Sequence, residues 1–406
     1  MGKMDYLQNK PVAVLGAGAV GKTCAADCKL AGQEVRLYDM EPFAETTLRN
    51  VRETGIEIDG IQRNLYNFKR SGTAKLDMVT SDIEEVMKDA GIIIIATTAL
   101  GHEILFRKMI PCLEDGQVIH ITTDNFGTLL FRKLMRELNC NKTVIVGGWS
   151  SAPYGTRNEV AGGFTFPRCS MKYRAISLRG ATLPMSDIDD FMATVPMIGC
   201  LDAVTNGDGP VKGNTVLDIG FSNINPVIHV PATILGVSTM ENWGKIFGDF
   251  DKTGYSMYAH ALCPSICEIQ YRFYQEEIAL AEKIGVGVES YDYEDFFSRR
   301  SVLAIEYMGK GNYYLPLDQP TTESNTGPNS IYHRYVTEDV PVGCKIYHDL
   351  GVAYNVHTPI IDSMITIASG MVGKDYFTEG YSLEYLGLDG MSREDLLNYL
   401  NRGNIR

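Results

Sequence analysis

The sequence predicts an α/β domain built on a doubly wound parallel sheet, followed by a mainly α-helical domain. Three features predict it: uniformly apolar runs separated by helical periodicity in the first half, a glycine-rich turn after the first run, and scarce β-branched runs beyond about residue 205. A chain of 406 residues is long enough for two or three domains. Hydrophobic residues at 45% and charged residues at 21% are the proportions of an ordinary globular protein, which excludes disordered, collagenous and coiled-coil classes. The net charge of −13 repels phosphate backbones and anionic lipid, so neither nucleic acid nor a membrane surface is an expected partner.

The first strand is Val12–Leu15, and the glycine turn leads into a helical pattern through Leu30. A second strand, Glu34–Tyr38, ends at Asp39 and completes a βαβ unit. Further apolar runs at Gly91–Thr98, Gln117–Asn125 and Thr143–Gly148 are separated by helical stretches such as Glu84–Ala90 and Gly127–Leu138, and Tyr173–Arg179 is read as a further strand of the same sheet. The turn-rich segment Thr205–Asn214 is read as the boundary, giving domains at 1–205 and 206–406. The second is carried by helical stretches at Asn214–Asn225, Pro264–Ile284 and Thr358–Met371, with a long polar loop at Thr321–Ser330.

Nine cysteines, an odd number with no CxxC pair, indicate reduced thiols and a cytoplasmic location. The pairs Cys24/Cys28 and Cys263/Cys267 lack clustered histidines, so no metal site is expected. The first ten residues lack an apolar signal core, and the longest nearly uncharged apolar stretch, Gly91–Leu100, falls far short of the roughly 20 residues that span a bilayer.

The turn Gly16-Ala17-Gly18-Ala19-Val20-Gly21 satisfies GxGxxG between a strand and a helix, the context of a Rossmann dinucleotide site. There Gly16, Gly18 and Gly21 serve the turn, the backbone approach and the helix packing, while Ala19 and Val20 open the helix whose N-terminus receives the pyrophosphate. Asp39 is placed to hold the ribose hydroxyls. Its charge and the absence of arginine in Met40-Glu41-Pro42 favour NAD over NADP. Thr97, at the end of the Gly91–Thr98 strand, is assigned to the same cofactor site.

Of seven histidines, His229 closes the run Asn223–His229, where a helical stretch meets a proline just past the domain junction. His120 lies within a strand and reads as a packing residue, and His102 as structural. A second cluster, Ile331–Pro341, joins Arg334, able to grip a carboxylate, to acids at Glu338 and Asp339.

Taken together, the glycine-rich start, the N-P-x-x-H of Asn225–His229, the loop ending in T-G-P, the R-Y-x-x-E-D-V-P of Arg334–Pro341, the later L-G-V and the T-P-x-x-D of Thr358–Asp362 resemble the opine dehydrogenase family of the octopine/nopaline dehydrogenase type, over nearly the whole chain. The resemblance implies a Rossmann domain followed by a helical, 6-phosphogluconate dehydrogenase-like domain. It also implies NAD(P)H-dependent reductive condensation of an amino acid with an α-keto acid such as pyruvate, and the reverse oxidation. It assigns His229 as the catalytic histidine, Asp339 as its acidic partner, and Arg334 as the keto-acid anchor. Asn125, Trp149 and Ser150 become candidate substrate contacts. Octopine-type members carry an acid near the start of the Gly147–Arg157 segment, whereas this chain has Gly148 and Trp149, which suits a small, neutral or acidic amino donor at least as well as a guanidinium-bearing one. Small-molecule substrates and a homodimer are the expected associations. Two other readings compete: a ketopantoate reductase-like or glycerol-phosphate dehydrogenase-like NAD(P) oxidoreductase, and a non-catalytic NAD-binding regulatory protein.

Overall fold

The computed structural model describes residues 7–60, 70–161, 164–174, 177–202, 209–248, 254–296 and 327–403. By compactness the chain forms two units, one comprising residues up to Gly220 together with those from Leu397 onward, the other Phe221–Leu396.

In the first unit, largely apolar strands pair in parallel and are mostly buried on both faces. They are β1 (Val12–Leu15), β2 (Val35–Tyr38), β5 (Met78–Thr80), β6 (Ile92–Ile95), β7 (Val118–Ile121) and β8 (Ile145–Trp149). With β11 (Ser177–Thr182) and β12 (Gly209–Lys212) they make an eight-stranded sheet in the order β12-β11-β8-β7-β6-β1-β2-β5, in which only the β11–β8 pairing is antiparallel. From β1 the chain builds outward through β2 on one side and β6 on the other. The switch in direction opens a crevice at the carboxyl ends of β1 and β6. Helix α1 (Ala19–Leu30) follows β1, and α2 (Gly127–Glu137) follows β7.

A second, four-stranded sheet was not expected from the sequence. It is formed by β3 (Ile56–Gly60), β4 (Gly72–Ala74), β9 (Tyr154–Ala161) and β10 (Phe164–Arg174), in the order β4-β3-β10-β9, and it packs on α1. The Thr23 and Thr156 hydroxyls bond across that packing at 3.0 Å, and Tyr154 bonds Asp27. The segment read as one strand, Tyr173–Arg179, is therefore divided: its start ends β10 in the second sheet, and its end begins β11 in the first.

Part of the expected boundary, 205–208, lies outside the described residues. Beyond it, β12 joins the main sheet beside β11, and the first unit runs on to Gly220. At the other end of the sequence, Tyr399 and Leu400 are buried, and the Tyr399 hydroxyl accepts from Arg136 of α2 at 2.7 Å, so these residues count with the first unit.

The second unit is helical. Helix α3 (Asn225–Leu235) packs against α4 (Pro264–Ile284), a turn of π-helix at Met257–Ala261, and the short helix Arg334–Thr337. A second π-helical turn, Val340–Cys344, leads into α5 (Lys345–Tyr354), and α6 (Pro359–Val372) follows. Of the long polar loop, 321–326 lie outside the described residues; its end at Gly327 bonds Tyr255 and Met257 through the backbone. Among the described residues no helix is long and apolar enough to cross a membrane, and no group of three or more His, Cys, Asp or Glu could hold a metal.

Candidate functional site

The glycine turn is shaped by contacts that only glycine permits at two positions. Gly16 has φ +105°, and a Cβ there would lie 2.7 Å from the Ala96 carbonyl oxygen, while a Cβ at Gly21 would overlap the Gly16 carbonyl. Strand β1, strand β6 and α1 thus meet in direct backbone contact. Gly18 is the opposite case, exposed and with open space where a side chain would project. The first turn of α1 carries no acidic residue and no side-chain cap, so its leading N–H groups are available to an anion. Asp39 is held by the turn itself: its Oδ2 accepts from the Ala17 N–H at 3.1 Å and from the Thr47 hydroxyl at 2.7 Å, and its Oδ1 accepts from Met40 N at 3.0 Å. Thr97, half-buried, follows β6 beside the turn, its backbone nitrogen 3.3 Å from where a Gly16 Cβ would lie. An open cradle over a free helix N-terminus, with a fixed carboxylate at its edge, fits a dinucleotide.

The carboxyl end of β7 is unusual. Asn125 and Phe126 adopt left-handed backbone conformations, φ +42° and +63°, and turn the chain sharply into α2. Asp124, fully buried, accepts through Oδ1 from the backbone and hydroxyl of Thr128, and burial pushes its carboxyl up to about 7. Half-buried Asn125 remains a candidate contact at the crevice. Trp149 does not. It is 0% exposed, stacks near Phe191 and His120, and donates its indole N–H to His120 Nδ1 at 3.2 Å. It therefore packs the sheet and has no surface to present to a substrate. Ser150 is paired with Arg179 of β11, through its backbone N–H at 2.9 Å and its hydroxyl oxygen at 3.2 Å, and extends the sheet pairing. His120 bonds Thr194 through its other nitrogen at 3.0 Å, and burial lowers its pKa to about 3, the state of a satisfied core histidine.

In the helical unit, His229 sits in the middle of α3, 9% exposed. Prolines shape that helix: Pro226 opens it, and Pro231 inside it cannot donate to the carbonyl four residues earlier. Gln270 of α4 donates to the Ile228 carbonyl at 2.9 Å, tying down the backbone next to His229. The two ring nitrogens have different partners, Asp339 Oδ2 at 2.8 Å from Nδ1 and the Tyr258 hydroxyl at 3.2 Å from Nε2. Tyr335 stacks on the imidazole with centroids 3.6 Å apart and 15° between planes. Asp339 and Tyr258 each lie at a π-helical turn, a deformation frequent at functional sites. Gly343 lets its turn approach α3 closely, since a Cβ there would lie 2.5 Å from Pro226 Cγ. Arg334 is more than half exposed, with Nε 3.3 Å from Glu338 Oε2, and so presents its guanidinium on the same short helix as Tyr335.

The structure thus joins His229 to Asp339 across 110 residues and adds two groups the sequence did not single out, Tyr258 and Tyr335. Tyr335 follows Arg334 in the quoted motif, which was a signal for it; nothing in the sequence marked Tyr258.

Residues 212–372 match the family described as NAD/NADP octopine/nopaline dehydrogenase, alpha-helical domain, and residues 11–152 match NAD-dependent glycerol-3-phosphate dehydrogenase N-terminus. The helical match contains the whole His229 cluster. In its helical half the chain is similar to the octopine/nopaline type of opine dehydrogenase. An opine dehydrogenase from Arthrobacter sp. (strain 1C) is 27% identical over 95% of this chain and 97% of that protein. The vitopine synthase of Allorhizobium ampelinum (strain ATCC BAA-846 / DSM 112012 / S4) is 22% identical over 96% of this chain and 99% of that one. Among solved structures, octopine dehydrogenase with NADH and L-arginine superposes with a TM-score of 0.67 at 16% identity, covering 98% of this chain and 99% of that chain. NADP+-bound yersinopine dehydrogenase gives 0.66 at 15% identity over 98% and 100%. The two matches fall on the Rossmann-like NAD-binding part and on the helical part described above.

Proposed function

We propose that this opine dehydrogenase-like oxidoreductase condenses the amino group of an amino acid with an α-keto acid and reduces the resulting imine, using NADH, and catalyses the reverse oxidation. The His229–Asp339 pair at 2.8 Å, buried in the helical unit, is the observation that carries this reading. NADH, when bound over Gly18 and beside Asp39, supplies the hydride. The fixed Asp39 carboxylate would repel a 2′-phosphate, which favours NAD over NADP.

Asp339 accepts the Nδ1–H of His229, setting the tautomer and stabilising the imidazolium. Nε2 is then the nitrogen that delivers a proton to the departing carbonyl oxygen as the imine forms, and removes one from water in the reverse direction. The Tyr258 hydroxyl next to Nε2 keeps that proton in a hydrogen bond until substrate takes its place, and Tyr335 holds the plane of the ring. Arg334 binds the keto-acid carboxylate bidentately.

The test is NADH oxidation at neutral pH with pyruvate, with and without a panel of amino acids, beside His229→Ala. Turnover that needs both partners and falls by about 10²-fold or more in the variant is the expected result. Turnover with a keto acid alone would instead identify a simple ketone reductase.

A further inference from the structure

Lys22 occupies the position directly after the last glycine of the turn, in the opening turns of α1. The residue is 0% exposed, and its buried Nζ has no hydrogen-bond partner among the described residues. Lysines ordinarily bury the stem and keep the ammonium wet or paired. Lys29, on the same helix, does so, with Asp77 2.7 Å away. Around Lys22 the other polar side chains are satisfied: Thr23 bonds Thr156, and Asp39 is held by Ala17, Met40 and Thr47. Among the described residues the ammonium lacks a hydrogen-bonded partner, and burying one without a counter-charge is costly.

Helical side chains tilt toward the N-terminus, so Lys22 leans back along α1 toward the glycine turn. Gly18, with open space above it, lies one helical turn away, about the reach of a lysine. Two titratable groups face the ammonium: Cys169 from β10 and Asp39 from the end of β2; Cys169 in turn faces Asp59. Cys169 of the second sheet is the stronger of the two influences and Asp39, at the ribose edge of the cradle, the weaker. We propose that Lys22 is a phosphate-binding residue of the dinucleotide site, its ammonium kept without a partner until a phosphate group of the cofactor arrives. This rests on the dinucleotide reading of the glycine turn. Burial lowers the lysine to about 8 in the absence of ligand, and pairing with a phosphate restores the full positive charge.

The experiment measures NADH and NADPH affinities of the wild-type chain, Lys22→Met and Lys22→Arg by nucleotide fluorescence and calorimetry. Lys22→Met should weaken binding about tenfold or more, with Lys22→Arg recovering part of it. Equal losses for both nucleotides identify the diphosphate as the partner, and a loss confined to NADPH identifies the 2′-phosphate. Since Lys22→Met could disturb folding, calorimetry near pH 8 in buffers of different ionisation enthalpy supplies an independent reading: the wild type takes up protons on binding and Lys22→Arg, which does not titrate, takes up fewer. Unchanged affinities in Lys22→Met, or equal proton uptake in Lys22→Arg, overturn the proposal while leaving the dinucleotide reading in place. A wild-type chain that binds neither nucleotide overturns that reading itself.

Discussion

His229 is held by three contacts of different kinds: a carboxylate on Nδ1, a phenol on Nε2, and an aromatic face against the ring. Each can be removed separately. Asp339→Asn keeps a side chain of the same shape but removes the charge that stabilises the imidazolium, so kcat should fall by about 10²–10⁴-fold while the NADH dissociation constant stays within about twofold, as stopped-flow turnover and fluorescence titration would show. Asp124 gives a second prediction at this scale. Burial raises its pKa from 3.8 to about 7, so the native state holds a proton that the unfolded chain releases across that window. The stability it contributes is present below the unfolded value and is lost as pH rises through the folded one, at up to about 1.4 kcal/mol per pH unit. Asp124→Asn cannot titrate, so its stability relative to wild type should improve between pH 5 and pH 7.5 in thermal melts; a constant difference would contradict the assigned shift.

At the scale of elements, the glycine turn separates packing from binding. Gly21→Ala drives a methyl group into the Gly16 carbonyl and should destabilise the first unit by about 1–3 kcal/mol, read as a lowered Tm. Gly18→Ala meets open space and should leave Tm nearly unchanged while weakening NADH, because the methyl projects where the pyrophosphate must approach. The ease of reading an element from sequence follows the same physics. Strands β1, β6 and β7 were legible because strands buried on both faces are almost wholly apolar. Strands β9 and β10 were not: they mix charged and polar residues with apolar ones, include Pro167, and pair across a sheet that covers a helix. His229 and the cluster holding Arg334 and Asp339 stood out by position and residue type, but their joining into one site was legible only through a family motif, since no periodicity links residues 110 apart. Tyr258 depends on a π-helical turn that composition does not encode. Trp149 was misplaced because a motif segment gives position along the chain but not the direction an indole faces, and here it faces His120 and Phe191.

For the whole molecule, the two units can be addressed one at a time. The nucleotide cradle belongs to the first, and His229 with all its contacts belongs to the second. NADH at about 100 times its dissociation constant should stabilise the protein by about 2.7 kcal/mol. The same increment is expected in His229→Ala, measured by scanning calorimetry, even though turnover is lost. A His229 variant that forfeits the ligand-induced shift would show that the histidine supports the fold of the nucleotide unit and not the chemistry alone.

Residues from Leu397 onward count with the unit that begins at the other end of the chain, and Tyr399 and Leu400 are buried there. During synthesis, the unit that emerges first from the ribosome is therefore the last to be finished. Its sheet can assemble while the helical unit is still being translated, but the surface of α2 that bonds Tyr399 stays uncovered until then. A nascent chain stalled just before Leu397 would hold a helical unit complete in sequence and a nucleotide unit still missing its closing piece. Chaperone dependence and early proteolysis should accordingly fall on the segment made first.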